Sequence, residues 1–342
     1  MYGDLILDTK KVGEDLARDG FSGPLDAGVS REKCAAVARF ISSAIESRTI
    51  HPLYGRFSVR DWHLINREFL DLLTAPKILD AVTDVLGDRF KLWRSKIFLK
   101  LPGEGPLGWH QEWGAFNGEE IGNDIPALVP TAERSDSAWN VSVWMPLTDV
   151  TQDMGPLRFA KGSQRRRFPI KMGPLAEAEF FVDPFINIHT KDELIRQVET
   201  DSLCIDIHTA DYFDGLDLHQ FTLEDLSELV RQKLRREQGA ITLDFHEEEH
   251  DIIDMPMKAG EFVIFSERCM HGSSANTSPF PRIGINARFT FHDTKVYPMR
   301  GTDTPIDGSN LDISLHRTVL IPGWEGDPDG ASVSLSELKA LT

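Results

Sequence analysis

The sequence has few cysteines, no long apolar run and little clustered positive charge, and each shortage excludes a class of protein. The three cysteines among 342 residues, Cys34, Cys204 and Cys269, are odd in number and far apart, which favours neither a disulfide framework nor a thiolate zinc site. No apolar run reaches the roughly 18 residues of a membrane helix, and the N-terminus lacks the pattern of a signal peptide. We therefore expect a cytoplasmic protein with free thiols and no membrane partner.

Basic residues are too sparse for nucleic-acid binding. The chain has 37 Lys and Arg against 54 Asp and Glu, a formal net charge of −17. Such a chain repels a phosphate backbone, so a nucleic-acid partner is not expected. The one basic run, QRRRF at 164–168, is interpreted as a solvated turn, with binding of an anion or a substrate tail as the alternative.

Helical and strand patterns occupy different parts of the chain. Apolar residues at helical spacing behind Ser30 predict a capped helix over 31–47, and a second helical pattern is interrupted at Pro76 and resumes up to Gly87. Short alternating segments follow, separated by Pro and Gly, and indicate an all-β core. The predicted strands lie in WNVSVWMPL, GPLRFAKGS, AITLDF, GEFVIFS and RIGINARFTF.

These patterns predict a single domain over 1–342. Residues 1–89 form helical support, 90–300 form the β core, and 301–342 form a C-terminal extension. An insertion rich in helix formers, at about 170–238, interrupts the core. Insertions of that length are more often functional than idle, so we expect a lid or substrate wall.

The stretch GWHQEWGAF carries the first candidate metal ligands. In a strand, residues two apart project to the same side, so His110 and Glu112 present an imidazole and a carboxylate to one point. His271 lies far downstream, where an apolar strand ends and a loop of small polar residues begins. Two histidines and a carboxylate with open coordination positions form the facial triad of non-haem Fe(II) oxygenases.

Three segments carry a family resemblance. WHQE, WNVSVWMPLTDVTQDMGPLRFAKGSQ and MHGSSANTSPFPRIGINARF resemble, in order and spacing, the signatures of the phytanoyl-CoA dioxygenase family of Fe(II)- and 2-oxoglutarate-dependent oxygenases. The resemblance covers roughly 90 to 300. It implies a mainly β fold, a double-stranded β-helix or cupin-like jelly roll, with N-terminal helices outside it and the helical insertion over its mouth. It also implies Fe(II), 2-oxoglutarate as co-substrate and O2, with release of succinate and CO2.

The same resemblance assigns roles to individual residues. It implies that the iron ligands are His110, Glu112 and His271. Arg282, eleven residues beyond His271, is implied to pair with the far carboxylate of 2-oxoglutarate. A planar guanidinium can bind a carboxylate through two hydrogen bonds, which explains arginine rather than lysine. Ser142 and Trp144 occupy the strand positions implied to hydrogen-bond the co-substrate.

The nearest branch of the family holds amino-acid halogenases and hydroxylases of natural-product biosynthesis. By this resemblance Arg288, Asn117 and Phe116 are candidate substrate-binding residues. Halogenases of the branch have Ala or Gly where this chain has Glu112, so the sequence favours hydroxylation. Hydroxylases more commonly have Asp there, one methylene shorter than Glu. An altered turn, with Lys161 and Gln164 where the family usually has Pro and His, does not obviously affect the iron chemistry.

The implied substrate is a free amino acid or related metabolite. An amino acid tethered to a carrier protein is the alternative, disfavoured because carrier domains are usually acidic, as this chain is. Hydroxylation, desaturation and cyclisation share the same oxidising step and differ in substrate placement, so the sequence leaves them open.

Two other classes compete with an oxygenase. HEEEH at 246–250 matches the H-E-x-x-H zinc motif, which requires a helix. The strand-like AITLDF before it, the Pro soon after it and its four acidic residues disfavour a helix, so an acidic turn near the active-site rim is preferred. A jelly roll used only for binding would be expected if a ligand were missing, but all three are present.

Overall fold

A computed structural model describes residues 10–114, 116–117, 126–168, 170–174, 185, 188–200, 203, 209–234, 238–301, 311–321 and 331–342. The helices are α1 (Lys10–Asp19), α2 (Arg31–Glu46), α3 (Arg67–Leu73), α4 (Pro76–Leu86), α5 (Lys191–Glu199), α6 (Leu223–Leu234) and α7 (Leu335–Leu341). The longer strands are β1 (Phe21–Asp26), β4 (Phe90–Lys100), β5 (Leu107–His110), β7 (Asn140–Pro146), β8 (Leu157–Ala160), β9 (Ile170–Pro174), β10 (Gln238–Leu243), β11 (Ile252–Met255), β12 (Glu261–Ser266) and β14 (Arg282–Phe291). The short strands are β2 (Ile50–His51), β3 (Arg56–Phe57), β6 (Leu128–Val129), β13 (His271–Ser273), β15 (Lys295–Val296), β16 (Thr318–Leu320) and β17 (Ser332–Ser334).

Two sheets form the centre of the molecule. The larger has seven strands in the order β1-β12-β7-β14-β4-β16-β17, and the smaller has four in the order β11-β8-β13-β5. Their facing sides pack through aromatic residues, since the ring of Phe159 on β8 lies 4.6 Å from Phe21 on β1 and 5.3 Å from Phe265 on β12. The sheets therefore enclose an interior that both of them line.

The N-terminal helices cover the outer side of the larger sheet. Helix α2 is capped by Ser30, whose hydroxyl accepts a hydrogen bond from the backbone N–H of Lys33 at 3.4 Å. A break before Pro76 separates α3 from α4, because proline cannot continue a helix but fits its first turn. Buried side chains of these helices, including Ile41 and Phe69, belong to the same core as Trp93 of β4. Both predicted helical segments are confirmed.

The sheets differ from the predicted core in three places. The strand predicted in AITLDF forms as β10, but it pairs with β9 in a separate two-stranded sheet, so its placement in the main core was wrong. Strand β1 pairs with β12, and β16 pairs with β4, so the larger sheet includes strands from outside 90–300. The described part of the insertion contains α5 and α6, which pack through a small apolar cluster of their own.

None of the helices within the described ranges is long and apolar enough to cross a membrane.

Candidate metal centre

The three predicted ligands meet on the inner side of the smaller sheet. Strands β5 and β13 are neighbours, with His110 opposite His271 in the register. The two imidazole centroids are 4.2 Å apart, and one ligand atom from each histidine and from Glu112 lie within 4.8 Å of one another. No second group of this kind occurs in the part of the chain that the structure describes.

Both imidazoles are held in the form that binds a metal. The Nδ1 of His110 lies 2.9 Å from the carbonyl oxygen of Gly108, and the Nδ1 of His271 lies 2.9 Å from that of Cys269. Because a carbonyl only accepts, each Nδ1 carries the proton and each Nε2 offers its lone pair. Burial lowers the pKa of His110, and lowers that of His271 to about 3, so both rings are neutral.

Glu112 is fixed at its backbone and at one oxygen. Its N–H donates to the carbonyl of Glu267 at 2.8 Å, and its Oε1 accepts a hydrogen bond from Nη2 of Arg288. The other oxygen, Oε2, is buried and has no hydrogen-bond partner. Burial is the largest single influence and opposes ionisation, but the charges of Arg288, His271 and His110 and the hydrogen bond from Arg288 together keep the pKa of Glu112 below its ordinary value. The site thus offers two neutral nitrogens and an anionic oxygen, a donor set that suits Fe(II).

Gln111, between the two ligands, faces away from them and anchors their strand. Its Nε2 donates to the carbonyls of Arg166 at 2.8 Å and Arg268 at 2.6 Å, and its Oε1 accepts from the N–H of Phe168 at 3.1 Å. The side chain is 3% exposed. The sequence analysis did not single out Gln111. Its position between two candidate ligands predicts that it faces the opposite side, which was the signal available for it.

Arg282 and Trp144 lie together on the inner face of the larger sheet. The Arg282 guanidinium carbon is 5.5 Å from the Trp144 ring centroid, and its Nη1 donates to the carbonyl of Gly155. Burial lowers the pKa of Arg282 to about 10, so it is cationic at neutral pH. The Nε of Arg282, the Nε1 of Trp144 and the Oγ of Ser142 are buried without hydrogen-bond partners, so these three groups remain available to a bound polar molecule.

Lys100 is a second buried cation beside Arg282 that the sequence did not reveal. The two residues are opposite each other in the β4–β14 register. The Lys100 ammonium donates to Ser273 Oγ at 3.0 Å and to the carbonyls of Gly105 and Ser274 at 2.7 and 2.8 Å. Burial, with the charge of Arg282, lowers the pKa of Lys100 to about 8.

One of the three predicted substrate residues contacts a candidate metal ligand. Arg288 contacts Glu112 itself, and its guanidinium carbon lies 4.6 Å from the ring centroid of Phe116. Phe116 is partly buried against the core and meets Trp93 edge to face at 5.2 Å. Asn117 follows it in a turn. A substrate contact for Arg288, Phe116 or Asn117 stays a prediction.

The HEEEH segment is a short 3₁₀ turn over Glu247–Glu249, so the zinc-helix interpretation is wrong. Glu247 accepts hydrogen bonds from Arg158 and, at 3.0 Å, from Trp109 Nε1. Trp109 precedes His110 and therefore faces the outer side of the smaller sheet, and the acidic turn binds to that side through Glu247. His246 is exposed.

The three arginines of QRRRF are exposed as well, as expected of a solvated turn.

Comparison with known families identifies one match. The phytanoyl-CoA dioxygenase family matches residues 29–284, about three quarters of the chain. No curated protein matches the sequence.

Solved structures share the fold at low sequence identity. "CytC3 with Fe(II) and alpha-ketoglutarate" superposes with a TM-score of 0.58 at 19% identity, covering 94% of this chain and 90% of that chain. The non-heme monooxygenase ThoJ, in its apo form, gives 0.53 at 17% identity, covering 94% and 86%. The epimerase SnoN with Fe3+, alpha ketoglutarate and nogalamycin RO gives 0.51 at 15% identity, covering 94% and 92%. The predicted jelly-roll fold is confirmed.

Proposed function

The chain belongs to the phytanoyl-CoA dioxygenase family, and we propose that it is an Fe(II)- and 2-oxoglutarate-dependent dioxygenase that hydroxylates an unactivated C–H bond of a small molecule. One observation carries the proposal: His110, Glu112 and His271 place two neutral imidazoles and a carboxylate around one point. Three protein ligands on one face leave coordination positions open for a co-substrate and O2.

The protein's part in the reaction is to bind, orient and exclude water. Bound Fe(II), with 2-oxoglutarate and O2, supplies the oxidising chemistry, yielding succinate and CO2. Arg282 pairs with the far carboxylate of 2-oxoglutarate, and its burial beside Trp144 strengthens that charge interaction. Ser142 and Trp144 contribute hydrogen-bond donors that the folded protein otherwise leaves unused.

Glu112 favours hydroxylation over halogenation. On a bound iron its carboxylate would take the coordination position that a halide would need, and Arg288 hydrogen-bonds to one of its oxygens. Two of the similar structures are described as a monooxygenase and an epimerase, so related folds carry more than one outcome. Desaturation and cyclisation are the alternative outcomes of the same chemistry.

The proposed substrate is a free amino acid or a related small metabolite, with Arg288, Phe116 and Asn117 near it. The resemblance to the amino-acid-oxidising branch supports this choice. A carrier-tethered amino acid is the alternative, disfavoured by the net charge of −17.

A substrate screen tests the proposal. The purified protein with Fe(II), 2-oxoglutarate and O2 is offered the free amino acids and their carrier-tethered forms, and succinate and product mass are measured. We expect succinate release to rise with a free substrate whose product gains one oxygen atom, and to vanish in the His271→Ala variant. A chlorinated product in chloride buffer, or turnover that survives His271→Ala, would contradict the assignment.

A further inference from the structure

We propose that Arg288 is a positioning residue that holds one carboxylate oxygen of Glu112, so that the long glutamate side chain presents its other oxygen to the metal. The inference rests on the proposed function and explains how this chain uses glutamate where hydroxylases of the branch more commonly have aspartate. Arg288 would act through Glu112 rather than on the reacting atoms.

The contact between the two side chains is buried and one-sided. Arg288 Nη2 donates to Glu112 Oε1, and the side chains are only 10% and 12% exposed. Glu112 Oε2 has no hydrogen bond. The carboxylate therefore has one oxygen held by the protein and one available as a ligand. A buried charge-assisted hydrogen bond of this kind is stronger than an exposed one.

The backbone of Arg288 is held between two neighbouring strands, and its side chain lies against an aromatic ring. Its backbone lies within β14, opposite Ser142 of β7 on one side and Arg94 of β4 on the other. Its guanidinium lies 4.6 Å from the Phe116 ring centroid. The anchor for Glu112 thus comes from the larger sheet, whereas both histidine ligands come from the smaller one.

The extra methylene of glutamate makes such an anchor necessary. Glutamate has one more rotatable bond than aspartate, so an unrestrained side chain would lose more conformational freedom on binding a metal. With the backbone N–H of Glu112 held by Glu267 and Oε1 held by Arg288, the carboxylate is fixed before metal arrives. Groups that orient a metal ligand typically change metal affinity by 10–100-fold when removed.

The test is a titration with Co(II) alone, followed by calorimetry, without 2-oxoglutarate or substrate. We expect Arg288→Met to raise the Kd for Co(II) by about 10–100-fold, equal to about 1.4–2.7 kcal/mol. Arg288→Lys, which keeps the charge but not the planar fork, should recover part of the loss and replaces the first variant if that one does not fold. Arg158→Met is the control, because it removes an arginine that ion-pairs with Glu247 and Asp254 on the outer side of the smaller sheet and should leave the Kd unchanged.

A double-mutant cycle separates positioning from a general structural effect. Glu112→Asp withdraws the carboxylate by roughly 1.5 Å, out of reach of Arg288. In that background Arg288→Met should change the Kd little, so the two effects are not additive. An equal loss in both backgrounds, or no loss in either, would overturn the positioning role. Failure of the unmodified protein to bind Co(II) would instead overturn the proposed function together with this inference.

Discussion

Replacing Gly284 with alanine should reduce 2-oxoglutarate turnover while leaving the candidate metal ligands in place. Gly284 lies in β14, two residues from Arg282, and faces the Trp144 indole. A Cβ at this position would lie 2.3 Å from Cζ2 and 2.7 Å from Cε2 of Trp144, whereas ordinary contacts begin at 3.4 Å. The indole would have to move by about 1.1 Å.

That displacement has two measurable costs. Trp144 is 2% exposed and packed, so it cannot move without disturbing its neighbours, and overpacking of this kind costs about 1–3 kcal/mol of unfolding free energy. Because Trp144 lies beside Arg282, a shift near 1 Å should also lower 2-oxoglutarate turnover by up to about 100-fold. The Kd for Co(II) should not change.

Urea unfolding, 2-oxoglutarate turnover and Co(II) titration measure these three quantities. Gly301→Ala is the matched control, because a Cβ there meets nothing within 4 Å. A Gly284→Ala variant with unchanged unfolding free energy and unchanged turnover would refute the assignment of Trp144 and Arg282 to the co-substrate site.

Three further predictions concern polar residues outside the candidate metal centre. Gln111→Leu leaves three backbone groups without their hydrogen-bond partner, so the unfolding free energy should fall by about 3 kcal/mol in urea titrations. A change below about 0.5 kcal/mol would count against the anchoring role. Burial lowers the pKa of three histidines outside the metal centre to about 4, namely His51, His63 and His316. The unfolded chain binds their protons from about pH 6.5 downward and the folded protein only near 4, so stability should fall as pH drops through this window, by up to about 1.4 kcal/mol per pH unit for each histidine. Unfolding free energies that stay constant from pH 6.5 to 5 would contradict this. The double variant His246→Ala and His250→Ala should keep its metal stoichiometry and 2-oxoglutarate turnover, whereas loss of a bound metal ion would reinstate a second site in HEEEH.

Local sequence patterns predicted the candidate ligands His110 and Glu112, although the strand itself ends at His110 and Glu112 follows it. The period of two in a strand placed His110 and Glu112 on one side, and the family resemblance supplied His271 and Arg282. The capped helix behind Ser30 was equally local. These features depend on neighbouring residues or on motif spacing, and the structure brings the three candidate ligands together.

Features that depend on pairing between distant segments could not be predicted in this way. The contact of Arg288 with Glu112 joins residues 176 positions apart, one in a strand of the larger sheet and the other just after a strand of the smaller sheet. Strand β1 contains Gly23 and Pro24, two residue types that are unfavourable in strands, so the sequence pattern did not predict it. Proline is tolerated at the edge of a sheet, which is where β1 lies. Strand β10 forms as predicted, but its partner is β9, and the local sequence pattern does not show which strand it pairs with.

The most direct test of the oxygenase assignment is the anaerobic visible spectrum of the metal-free protein titrated with Fe(II) and 2-oxoglutarate. A charge-transfer band that appears only when both are present, and that is lost in His271→Ala, is the predicted result, because it reports chelation of the keto acid by iron at this site. A protein that shows no band with both additions, or that binds zinc in place of iron, would contradict the account.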